Sequence, residues 1–128
     1  MLENEIKTEK DDPMHNSLAH ILENWVEQIN LDEFYLVHSF DRLLAEKSSS
    51  EAYEFIPYII EAVLLTTDGF LASQLIFYLN CFYGKADTTE LHPVLLDKRK
   101  ELENHISRLK DPDAAREYEE LKKELRLK

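Results

Sequence analysis

The stretch Tyr53-Glu54-Phe55-Ile56-Pro57-Tyr58-Ile59-Ile60-Glu61-Ala62-Val63-Leu64-Leu65, the break Thr66-Thr67-Asp68-Gly69 and the run Phe70 to Gly84 decide the fold. No other part of the chain is as apolar, so the core is expected here. In the first segment Ile56, Ile60, Val63 and Leu64 recur at helical spacing, while Glu54, Tyr58 and Glu61 point almost directly opposite. Ser48 and Glu51 have capping-box spacing at its start, and Pro57 either kinks the helix or begins a new segment. The second segment, over about 69–83, is apolar almost all round, which predicts a central helix covered on several sides. Gly84 suits its C-terminal cap.

Working outward, Asn16 or Ser17 can cap a helix to about Gln28, with Leu18, Ile21, Leu22, Trp25, Val26 and Ile29 sharing one face. Glu23 and Glu27 fall on the other. Asp32 can cap a helix over 33–46 with Leu36, Val37, Phe40, Leu43 and Leu44 inward and Phe34, Tyr35, His38, Asp41 and Arg42 on the opposite side. Beyond a polar loop, Pro93 opens a fifth helix, and Asp111-Pro112 stops it and starts a sixth. Leu95, Leu102, Ile106 and Leu109, then Ala114, Tyr118, Leu121 and Leu125, give narrow apolar stripes on charged helices.

The fold class expected is therefore all-α: about six helices in antiparallel pairs, as a HEAT-like helical bundle or a short solenoid. Residues 1–16, with seven charges, are expected to form a flexible acidic arm, and 17–128 a single helical domain. Residues 93–126 form a charged C-terminal helical hairpin, packed on the body or on a partner.

The 128 residues carry 26 acidic and 15 basic side chains, for a net charge of -11. Residues 1–90 hold 17 acids and 5 bases, whereas 91–128 hold 9 and 10. An acidic body argues against direct nucleic-acid binding, which needs Lys and Arg against phosphate. It favours a basic protein partner. With only two glycines, no P-loop, dinucleotide fingerprint, nucleophile elbow or EF-hand loop is present. His15, His20, His38, His92 and His105 follow no ligand pattern, and no Glu-x-x-His occurs. No metal, cofactor or catalytic residue is expected. The single Cys81 excludes an intramolecular disulfide, and the start lacks a secretion-signal pattern, which together suggest a cytoplasmic protein.

In type, across most of its length, the chain resembles the immunity proteins of bacterial contact-dependent growth inhibition and related polymorphic-toxin systems. The likeness is carried by Phe55-Ile56-Pro57-Tyr58-Ile59-Ile60-Glu61-Ala62 and by Asp68 to Leu79 as a HEAT-like helix pair. The resemblance implies a tight, specific partner: a cognate toxin domain, commonly a basic nuclease. It carries over no site residue by position, only an acidic binding face. From this sequence the partner-binding candidates are Glu23, Glu27, Tyr35, Asp41, Glu54, Tyr58 and Glu61. Two other readings stay open. One is a helical adaptor or regulatory subunit binding a partner protein or peptide. The other is a small ligand-binding or catalytic bundle with a pocket lined by His38 or Tyr78.

Overall fold

A computed structural model describes residues 13–88 and 90–127, with side chains from Asn16 onward. The expected arm at 1–16 lies outside the described residues up to position 12, and positions 13–16 are helical. The described residues are all-α, with no strand among them: α1 Pro13–Leu22, α2 Trp25–Leu31, α3 Tyr35–Ala45, α4 Ser49–Leu65, α5 Gly69–Ala86, α6 Pro93–Leu109 and α7 Pro112–Leu125. Contacts fall into two compact units, one ending at Glu46 and the other beginning at Lys47.

In the N-terminal unit, the helix expected over 17–28 begins at Pro13 and breaks at Asn24. Pro13 suits the first helical position because its φ is already near the helical value. Asn24 adopts the left-handed conformation, φ 57° and ψ 29°, which Asn tolerates better than most residues. The break shifts the helical phase of the residues after it. Leu18 and Ile21 are buried as expected, but Trp25 is half-buried and Val26 exposed, so the six apolar residues do not share one face. α2 and α1 each pack on α3, whose buried face is Leu36, Phe40 and Leu43. Asp32 does not cap α3 at the expected position, since the helix starts two residues later. Its Oδ1 accepts from the Phe34 N–H at 3.0 Å and fixes the α2–α3 turn.

The C-terminal unit is a four-helix bundle. α4 and α5 form the central hairpin, α6 lies along α4, α7 along α5, and α6 meets α7 more lightly. The capping box is present: Ser48 Oγ accepts from Glu51 N–H at 3.1 Å, and Glu51 Oε1 accepts from Ser48 N–H at 2.9 Å. α4 then runs unbroken through Pro57 and buries Ala52, Phe55, Ile56, Ile59, Ile60 and Val63. Leu64 is only half-buried.

Asp68 caps α5 through Leu71 N–H at 2.8 Å. α5 buries ten side chains but is not covered all round, because Phe70 and Phe77, seven residues apart, are both exposed. Gly84 is not its cap. The helix continues to Ala86 and ends on Asp87 in the left-handed conformation. His92 Nδ1 accepts from Val94 N–H at 3.1 Å to start α6, and Asp111 Oδ1 accepts from Asp113 and Ala114 N–H to start α7. Leu95, Leu102 and Ile106 on α6 and Ala114, Tyr118 and Leu121 on α7 enter the core. The core centres on Phe55 and Phe82, whose rings stack at 5.0 Å.

Candidate functional site

The expected site residues fall into two sets, one in each unit. Glu54, Tyr58 and Glu61 stand on α4 at i, i+4 and i+7, and the inward burial of Phe55, Ile56, Ile59 and Ile60 turns them outward. Both glutamates are exposed, and Tyr58 is half-buried with its ring 5.9 Å from that of Phe55. Leu65 extends the same stripe at i+11 and is 74% exposed, so the stripe runs about 16 Å along the helix. Sequence reasoning missed Leu65 as a site residue because an apolar residue near a helix end reads as core. Its spacing of four from Glu61 was the signal available. A cleft of about 360 Å³ opens beside the stripe toward α6, lined by Pro57, Glu61, Leu65, Val94 and Lys98 among others. The stripe thus combines two carboxylates, a tyrosine and an exposed leucine on a capped, well-packed helix.

In the N-terminal unit Glu23 and Glu27 are exposed on either side of the Asn24 break. Asp41 is exposed on α3. Tyr35 serves the fold itself, because its hydroxyl donates to the Ile21 carbonyl at 2.8 Å and ties α3 to α1. A cleft of about 550 Å³ between α1 and α3 is lined by His20, Ile21, Tyr35, Arg42, Leu43 and Glu46, among others.

Three polar groups of the C-terminal unit hold helices together. The Tyr83 hydroxyl accepts from His92 N–H at 3.0 Å, and the Tyr53 ring lies 4.9 Å from the His92 ring. Burial pushes the Tyr83 phenol up and holds His92 below the usual imidazole value. His105 Nε2 lies 2.8 Å from the Thr66 carbonyl and ties α6 to the α4–α5 turn. Tyr118 donates to Glu103 at 2.8 Å, and Arg99 donates to the same oxygen at 3.0 Å. The Arg99 bond, followed by that from Tyr118, holds Glu103 below the usual carboxylate range; burial and then Glu103 push the Tyr118 phenol well up.

His38 and Tyr78, either of which was expected to line a pocket in the ligand-binding reading, belong to different units. Tyr78 is a core residue with its ring edge-on to Phe77, whereas His38 is exposed with Nδ1 3.4 Å from Asp32 Oδ2. Among the described residues no group of three or more His, Cys, Asp or Glu is placed to hold a metal ion, and no helix is long and apolar enough to cross a membrane. Comparison with protein-family models, curated proteins and solved structures found no match.

Proposed function

We propose that the chain is an immunity protein acting in the cytoplasm: a non-enzymatic binder that neutralises a cognate basic toxin domain, of the nuclease class, by stoichiometric occlusion. The observation that carries this reading is the outward stripe of α4. Glu54 and Glu61 are exposed at i and i+7, Tyr58 and Leu65 supply contact area between and beyond them, and the opposite face of the helix is locked in the core. A surface of this kind meets a partner without rearranging, so little ordering entropy opposes binding. Its carboxylates suit Lys and Arg side chains that otherwise hold nucleic-acid phosphate. The net charge of -11 adds long-range attraction for a basic partner.

A pulldown from the native cell identifies the partner, and co-expression with its toxin domain reads growth rescue. Glu54→Lys combined with Glu61→Lys is expected to weaken binding by about 10-fold or more and to abolish rescue while the helical circular dichroism is retained. Unchanged affinity with the fold intact removes the α4 stripe.

A different observation favours the adaptor reading. Phe70 and Phe77 are 49% and 44% exposed on α5, an apolar pair at i and i+7 suited to packing a partner helix. Deleting the chain after Lys110 does not test it, because Ala114, Tyr118 and Leu121 of α7 are core residues. Serine at Phe70 and Phe77 does, with partner recovery as the readout.

A further inference from the structure

The elbow between α2 and α3 presents apolar side chains that are exposed among the described residues. α2 has no buried residue, although it packs on α3. Leu31 at its end is 84% exposed, and Phe34, which opens the turn into α3, is 54% exposed. Val37 is also exposed, and Phe34, Val37 and Asp41 stand at i, i+3 and i+7, hence on one face.

The turn is tied by its own hydrogen bonds. Asp32 Oδ1 accepts from Phe34 N–H at 3.0 Å, and the Asp32 carbonyl accepts from Tyr35 N–H at 2.9 Å. The His38 ring lies 6.0 Å from that of Phe34, with Asp32 beside it.

The charge around the elbow is predominantly acidic. Between residues 16 and 46 the acids are Glu23, Glu27, Asp32, Glu33, Asp41 and Glu46, and Arg42 is the single Lys or Arg. A seven-residue helix is too short to be stable in water by its own hydrogen bonds, so α2 depends on the surfaces that pack against it.

We propose that the α2–α3 elbow is a docking surface for a basic, amphipathic segment of a partner protein. The partner's apolar side chains sit on Leu31, Phe34 and Val37, and its Lys or Arg pair with Glu27 and Glu33. An acidic rim around an apolar centre selects this occupant over an acidic peptide or an anionic lipid surface, both of which the rim repels. The inference rests on the reading of the chain as a binder of basic protein, and it names a surface of the N-terminal unit that reading did not use as an anchor.

The test is an amide NMR titration of the full chain with a short synthetic peptide of repeating lysine and leucine pairs, and with its glutamate–leucine counterpart. The lysine peptide is expected to shift the Leu31, Phe34 and Val37 signals, and the glutamate peptide is not. Leu31→Ser with Phe34→Ser, both at exposed positions, is expected to weaken the lysine peptide by about 10-fold. Shifts confined to Glu54–Leu65 overturn the elbow and leave the binding reading standing, whereas no shift anywhere overturns both. Equal response to the two peptides, an unweakened double variant, or elbow signals that move on dilution of the chain alone, which makes a second copy the occupant, each overturn the proposal.

Discussion

Tyr118 on α7 donates a 2.8 Å hydrogen bond to Glu103 Oε2 on α6, the same oxygen that Arg99 engages one helical turn earlier. Tyr118 is a buried core residue, so its hydroxyl needs a partner, and an ionised Glu103 provides it. Tyr118→Phe is expected to lower stability by about 1–2 kcal/mol, read by urea unfolding followed by circular dichroism. Glu103→Gln tests the sign with pH. Because Glu103 is held below its ordinary value of 4.5, its contribution is present above that value and lost as pH falls below it. The variant should be less stable at neutral pH and lose less stability between neutrality and pH about 3.

The two glycines should respond in opposite directions to alanine. At Gly69 a β-carbon would fall on the Asp111 side chain, 2.7 Å from its Cβ. Gly69→Ala should cost about 1–3 kcal/mol, because α5 and the α6–α7 turn cannot both keep their places. At Gly84 a β-carbon would meet nothing within 4 Å, and the backbone is not in the left-handed region. Gly84→Ala should stabilise by about 0.5–1 kcal/mol through the lower freedom of the unfolded chain. Thermal melts of the two variants check both signs.

His92 caps α6 through an unprotonated Nδ1, and burial lowers its proton affinity below the ordinary value of 6.5. The unfolded chain therefore binds a proton that the folded chain excludes. Stability from this group is fully present above pH about 6.5 and falls as pH drops below it. His92→Asn keeps an acceptor at the cap and should remove that part of the pH dependence. His92→Ala should cost about 1 kcal/mol at neutral pH. Unfolding curves across pH 5–8 would separate the three proteins.

Phe55 and Phe82 join α4 to α5 at the centre of the core, both with no exposed surface. Phe82→Ala should cost about 3–5 kcal/mol, and Phe82→Leu clearly less, since the residual cavity is smaller. Equal losses for the two would show that the surrounding helices close over the gap.

In the C-terminal unit the helix starts were legible in the sequence, because there a side chain meets the backbone within a few residues. Ser48 with Glu51 and Asp111-Pro112 start their helices as read, because capping is settled by chemistry within three residues. The all-α class and the inward faces of α4, α6 and α7 follow from periodicity for the same reason. The outward placement of Glu54 and Glu61 came with them, as the reverse of a buried face.

Other features were not local. Whether Asn24 continues a helix or turns left-handed depends on a small conformational difference that the local sequence does not decide. Phe70 and Phe77 read as core because the sequence of α5 does not say how many neighbours surround it. α4 and α7 cover only part of its circumference within the bundle. Gly84 looked like a cap, yet α5 runs past it to an Asp that tolerates the left-handed conformation. Tyr35 looked like a surface aromatic, and α1 brings the Ile21 carbonyl within 2.8 Å of its hydroxyl. The sequence by itself determined where the four helices of the C-terminal unit start and which of their faces are apolar, since those depend on bonds within a few residues. The tertiary structure alone decided which apolar faces find a cover and which, as at Leu31, Phe34 and Leu65, stay exposed. That outcome depends on residues far apart in the chain, and no spacing records it.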